Sequence, residues 1–144
     1  MKITMKDFVP SLGDWTGNLT YLDYTSGKPY TLPVKINISQ NKGSLEELIW
    51  VYTYPNEPRA NSIDTVKITR NGAGIDNERV VEVLRSVQAN FITTERNGVD
   101  GNDHKPAVIR HVYAFGNENL EIKKLVKFDG EDKWILRNDY VLKR

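Results

Sequence analysis

Cysteine is absent from this chain of 144 residues. That excludes disulfides, thiolate metal sites and cysteine nucleophiles. Histidine is scarce. With two in all, His104 and His111, and no thiolate, the chain offers little to a transition metal, and no metal or cofactor is expected. Neither sign of charge is in excess. Twenty Lys and Arg face nineteen Asp and Glu, a net charge of +1, whereas electrostatic nucleic-acid binding needs a clustered positive surplus. No uncharged run approaches the ~20 residues of a membrane-spanning helix. The opening MKITMKDFVP has no apolar core followed by a small-residue cleavage site, so no signal peptide is expected in this chain. A cysteine-free protein of this kind suits the cytoplasm or a bacterial periplasm, and the compartment stays open between them. The sequence also lacks a Gly-x-Ser-x-Gly elbow, a phosphate-cradling loop and a dinucleotide fingerprint.

Present instead are short β-rich runs separated by turn residues. Hydrophobic residues make up 39%, enough to build a core and to set disorder aside. Gly, Pro and Asn punctuate the chain throughout and never gather into a linker, so residues 1–144 are read as one domain. The run Tyr30–Gln40 is the clearest. Leu32, Val34, Ile36 and Ile38 alternate with Pro33, Lys35, Asn37 and Ser39, which predicts a strand with one buried and one wet face. Pro33 lacks an N–H, so its side of the strand end should be unpaired or bulged. Further runs are Asp14–Tyr24, Leu48–Tyr54, Asp64–Arg70, Asn90–Arg96, Ala107–Phe115, Asn119–Phe128 and Lys133–Leu142. Glu78–Val87 could be a short helix by residue preference, but its valines favour a strand. Asp129-Gly130 is a strong hairpin signal. Nearly all connections are short, which makes neighbours antiparallel. A meander of about eight to ten strands resolves its edges most simply by closing on itself. The expected fold is therefore all-β, a single antiparallel up-and-down β-barrel. Only the 55–63 loop is long enough to cross between the sheets of a sandwich.

The segment Ser11-Leu12-Gly13-Asp14-Trp15-Thr16-Gly17 resembles the Gly-x-Trp opening of the calycin superfamily, the lipocalin-like and fatty-acid-binding-protein-like barrels. The resemblance implies that Phe8–Ser11 leads into strand one and that Trp15 plugs the narrow end of the barrel. It also implies an Arg from the last strand packed over the indole, a role that falls to Arg137. Gly13 and Gly17 would let the backbone bend at closure. The Arg-x-Tyr pair of many fatty-acid binders is missing, because Arg137 and Tyr140 are spaced to point to opposite faces of a regular strand. A fatty-acid carboxylate clamp is therefore not carried over.

Three strands carry aromatic faces. Trp50, Tyr52 and Tyr54 share one with Leu48; Trp15, Leu19 and Tyr21 share another; His111, Tyr113 and Phe115 share a third. Turned inward, these faces line a cavity with apolar walls and a few polar groups, the chemistry of a small-molecule pocket. They could equally fill a solid core. Tyr21, Trp50, Tyr52, His111 and Tyr113 are the candidate ligand-binding residues, with Trp15 and Arg137 assigned to structural closure. No catalytic residue is assigned. Glu82, Glu95, Asp23 and Asp139 are acids within strands, expected to be solvated or paired across strands. Asp100–His104 lacks calcium-loop spacing and reads as a turn. Lys123, Lys124 and Lys127 are expected on a solvated outer face. The leading reading is a barrel that binds a small, largely apolar molecule. The alternative is a non-enzymatic interaction domain with a filled core and a protein partner on its surface. An enzyme using His111 with an acid ranks below both.

Overall fold

In the computed structural model, which describes residues 1–144, period-two alternation becomes a closed barrel. Ten strands follow one another: β1 (Gly13–Asp23), β2 (Lys28–Gln40), β3 (Glu47–Thr53), β4 (Ser62–Thr69), β5 (Gly74–Ile75), β6 (Glu78–Arg85), β7 (Ala89–Asp100), β8 (Lys105–Gly116), β9 (Asn119–Phe128) and β10 (Ile135–Lys143). Each pairs antiparallel with its sequence neighbours, and β1 closes the ring on β10. The expected all-β, up-and-down barrel is what forms. Glu78–Arg85 is a strand, as its valines indicated. The 55–63 region makes no crossover; it joins β3 to its neighbour β4 through a 3-10 turn at Pro58–Ala60.

On β2, Val34, Ile36 and Ile38 are buried while Lys35, Asn37 and Ser39 face outward. Pro33 pairs with Asn18 on β1, and the β2–β3 ladder begins only at Lys35. The missing N–H therefore falls where β2 has no β3 neighbour, as a proline requires.

One end of the barrel is plugged by the chain's own start. Helix α1 (Met5–Phe8) and a 3-10 turn over Val9–Ser11 lie across it. Ile3, Met5 and Phe8 are buried there, and Phe8 meets Phe115 at a centroid distance of 5.4 Å. Asp7 latches the plug. Its carboxylate accepts the Thr4 N–H at 2.9 Å and the Arg85 Nε–H at 2.6 Å. Against the upward push of burial, these partners hold the Asp7 carboxyl below its ordinary pKa.

Trp15 sits in this end, but its cationic cover is not Arg137. The antiparallel register pairs Thr16 with Lys143, so Trp15 lies beside the end of the chain. Arg144 stacks on the indole at 4.1 Å. Its guanidinium also donates to the carbonyls of Pro10 at 2.7 Å and Leu12 at 2.8 Å. Arg137 lies toward the other end of β10, at a bulge between Leu136 and Asn138. There it covers Tyr24 at 4.2 Å and approaches Asp100 at 3.6 Å. Gly17 permits the closure: a Cβ there would lie 2.0 Å from the Val141 carbonyl oxygen.

The barrel wall is low at one place. β5 has two residues, because the chain reverses at Asp76, whose φ of 52° is tolerated best by Asp, Asn and Gly. β4 meets β5 only at Ile68 and Thr69, and β6 meets β7 no farther than Glu95. The outer halves of β4 and β7 therefore lack a neighbour on that side.

Candidate functional site

A cavity of about 450 Å³ opens at the low wall. Its exposed lining residues, Ile63, Asp64, Thr65, Asp76 and Asn77, all belong to β4 and the β5–β6 turn, and they mark the mouth. Trp50, Tyr52, Tyr113 and Tyr140 form the aromatic walls. Trp50 meets Tyr113 edge-on at 6.3 Å, and Tyr52 meets Tyr140 at 5.7 Å. Burial pushes the hydroxyls of Tyr52, Tyr113 and Tyr140 well above the ordinary phenol range, so they remain neutral donors. Tyr140 is further fixed by a 2.8 Å hydroxyl–hydroxyl bond to Tyr54.

Four of the five residues proposed from the sequence line this cavity: Trp50, Tyr52, His111 and Tyr113. Tyr21 does not. It shares the inward parity of Trp15, but it lies near the far end of β1, 37% exposed and stacked on Tyr30 at 5.9 Å. Its cross-strand neighbours are Tyr30 on β2 and Asn138 on β10.

His111 is held by an acid. Its Nδ1 lies 2.8 Å and 3.0 Å from the two carboxylate oxygens of Glu78. Glu78 is buried and also accepts from Thr94 Oγ1 at 2.6 Å and Arg96 Nε at 3.2 Å. Burial pushes the Glu78 carboxyl up, but the bonds from His111 and Thr94 and the charges of His111 and Arg96 hold it below its ordinary pKa. An ionised carboxylate only accepts, so His111 presents Nδ1–H to it. In the neutral ring, Nε2 is then the nitrogen with a free lone pair. The register makes this cluster: Thr94 pairs with His111 across β7 and β8, and Glu78 begins β6 directly after the Asp76-Asn77 turn.

Lys124 is a correction to the expected outer basic face. It pairs with His111 in register, faces inward and lines the cavity, and its ammonium reaches Asp100 at 3.5 Å. Lys123 alternates outward beside Glu121. The residues that sequence reasoning missed are Glu78, Asp64, Asp76, Lys124, Asn138 and Tyr140. Strand parity carried a readable signal for several of them: Asn138 and Tyr140 share the parity of buried Leu142, Lys124 that of Leu120, Ile122 and Val126, and Asp64 that of Val66 and Ile68.

One polar atom in the wall has no partner. Trp50 is 1% exposed, and its indole Nε1–H finds no acceptor in the protein. A buried donor in that state is costly unless something accepts from it. The site can grip an apolar body between rings and orient it through phenolic hydroxyls and an imidazole. Compared with models of known families and with curated proteins, the chain matches none.

Proposed function

We propose that the chain is a calycin-like barrel that binds a small, largely apolar ligand in its interior, with residues 1–144 acting as one domain. The cavity carries this reading. Its volume of about 450 Å³ falls within the ~300–1,000 Å³ of small-molecule sites. Trp50, Tyr52, His111 and Tyr113 are the proposed binding residues. Apolar contact supplies affinity, while the Tyr hydroxyls and the His111 ring orient the ligand. The calycin reading is supported by the meander topology and by Trp15 lying under Arg144 near the start of β1. In it Arg144 takes the closing role that the resemblance had given to Arg137.

The test is a titration with Nile red, a neutral environment-sensitive dye, followed by dye emission and tryptophan quenching together. Saturable one-to-one binding is expected. Tyr113→Ala, checked for folding by circular dichroism, should weaken it about tenfold, the equivalent of roughly 1.4 kcal/mol of lost apolar contact. Absence of binding at high dye concentration would overturn the reading in favour of a filled barrel that meets a protein partner at its surface.

A further inference from the structure

Charge is unevenly matched around the cavity. Three carboxylates line it: Asp64, Asp76 and Glu78. Glu78 is answered by Arg96 and His111. The other lining cation, Lys124, is engaged by Asp100 at 3.5 Å. Asp64 and Asp76 form no ion pair with any side chain of the protein; the Asp76 carboxylate accepts only the Lys67 backbone N–H at 2.9 Å. Both stand at the mouth, Asp64 on β4 and Asp76 in the turn that hydrogen-bonds to Lys67 of the same strand. Partial desolvation, then the neighbouring Glu78 and Asp64 charges, push the Asp76 carboxyl above its ordinary pKa. Two carboxylates facing one opening repel each other, and a cation between them relieves that repulsion.

The walls below favour the same charge. Asp64 pairs with Trp50 across β3 and β4, so its side chain and the indole share the inner face. Tyr52 and Tyr140 add two more rings beside it. Aromatic faces carry negative potential and attract ammonium groups, by ~2 kcal/mol or more when desolvated. The Trp50 ring is part of this wall, and its buried indole N–H has no acceptor within the protein.

We propose that the ligand is an organic amine: a compact aromatic or aliphatic body against the rings, with its ammonium beside Asp64 and Asp76. This rests on the cavity being a ligand site, and it names the ligand class.

The test uses three probes with one ring and different ends: phenethylamine, 2-phenylethanol and 3-phenylpropanoate. Binding to the full chain is read by calorimetry and by the indole 1H–15N resonance of Trp50, assigned with Trp50→Phe. Phenethylamine should bind at least about fivefold more tightly than the alcohol, and the carboxylate more weakly than both. Asp64→Asn and Asp76→Asn should each weaken the amine by roughly five- to tenfold and leave the alcohol unchanged. Asn tolerates the positive φ of position 76 and still accepts the Lys67 N–H, so this variant should fold. Equal or tighter binding of the alcohol or the carboxylate would overturn the proposal, as would amine binding indifferent to both substitutions. If Nile red binds and none of the three probes does, the amine falls and the cavity reading stands. If nothing binds, both fall.

Discussion

Trp15 and Trp50 are equally buried, each 1% exposed, yet they belong to differently finished halves of the barrel. The Trp15 indole N–H donates to the Ser11 carbonyl at 2.8 Å, and Arg144 covers its ring. Ser11 is itself buried, and its hydroxyl donates to the Phe8 carbonyl at 2.6 Å. Every polar group of that cluster is answered from within the chain. Trp50 sits among rings at the cavity, and its N–H is answered by nothing in the protein. Burial does not separate the two residues; hydrogen-bond satisfaction does. The closure answers its indole donor from within the chain, whereas the cavity wall leaves one unanswered.

The largest expected effect comes from making the same substitution in both places. Trp15→Phe and Trp50→Phe delete the same atoms. At position 15 the change leaves a buried carbonyl unpaired and weakens the cation–π contact. At position 50 it removes a donor that had no partner. Trp15→Phe should therefore cost about 2–4 kcal/mol more than Trp50→Phe, measured by urea unfolding. Equal costs would remove the distinction between a finished and an unfinished half.

Glu78 lies on the cavity side, yet it is fully satisfied, so it tests whether that half is stabilised by its acid–histidine cluster. Glu78→Gln should cost about 2–3 kcal/mol at neutral pH, by leaving Arg96 and His111 facing an uncharged amide. The sign with pH follows from the lowered pKa. The contribution is fully present above the ordinary glutamate value of 4.5 and is lost as pH falls through the lower folded value. Wild type should therefore keep its advantage over Glu78→Gln down to that value and lose it below, in thermal unfolding followed from neutral to acid pH.

The two halves also differ in how far the sequence foretold them. Strand parity is local, so the alternation in Val34, Ile36 and Ile38 was enough to put β2 on the barrel, and the same parity turned Trp50, Tyr52, His111 and Tyr113 inward. Parity does not carry height along the barrel. Tyr21 has the right parity and the wrong height, and Arg137 was paired with Trp15 although the β1–β10 register puts Arg144 there. The mouth depends on β5, a strand of two residues, Gly74–Ile75, too short to show any alternation of its own. The Glu78–His111 contact joins residues on β6 and β8 across an intervening strand, and no pattern within either strand announces it.

Asp139 supplies the smallest effect and the sharpest control, because it too is an incompletely paired polar group, but on the outer face. It lies between Asn138 and Tyr140, which face the cavity, and its buried Oδ1 has no partner. If an unpaired group alone marked a binding site, Asp139 would be one. Its explanation is local. Burial, and then the hydrogen bond and charge of Glu121 beside it, push the Asp139 carboxyl up to about 6. Because the folded pKa lies above the ordinary 3.8, this group's contribution to stability is fully present below that value and is lost as pH rises through about 6. Asp139→Asn removes the charge that the proton had been masking. The variant should match wild type near pH 4, exceed it in thermal midpoint above pH 6, and leave Nile red binding unchanged. A variant that lost dye binding while remaining folded would instead couple this outer pair to the cavity through Asn138 and Tyr140, and the contrast between the two tryptophans would no longer identify where the ligand goes.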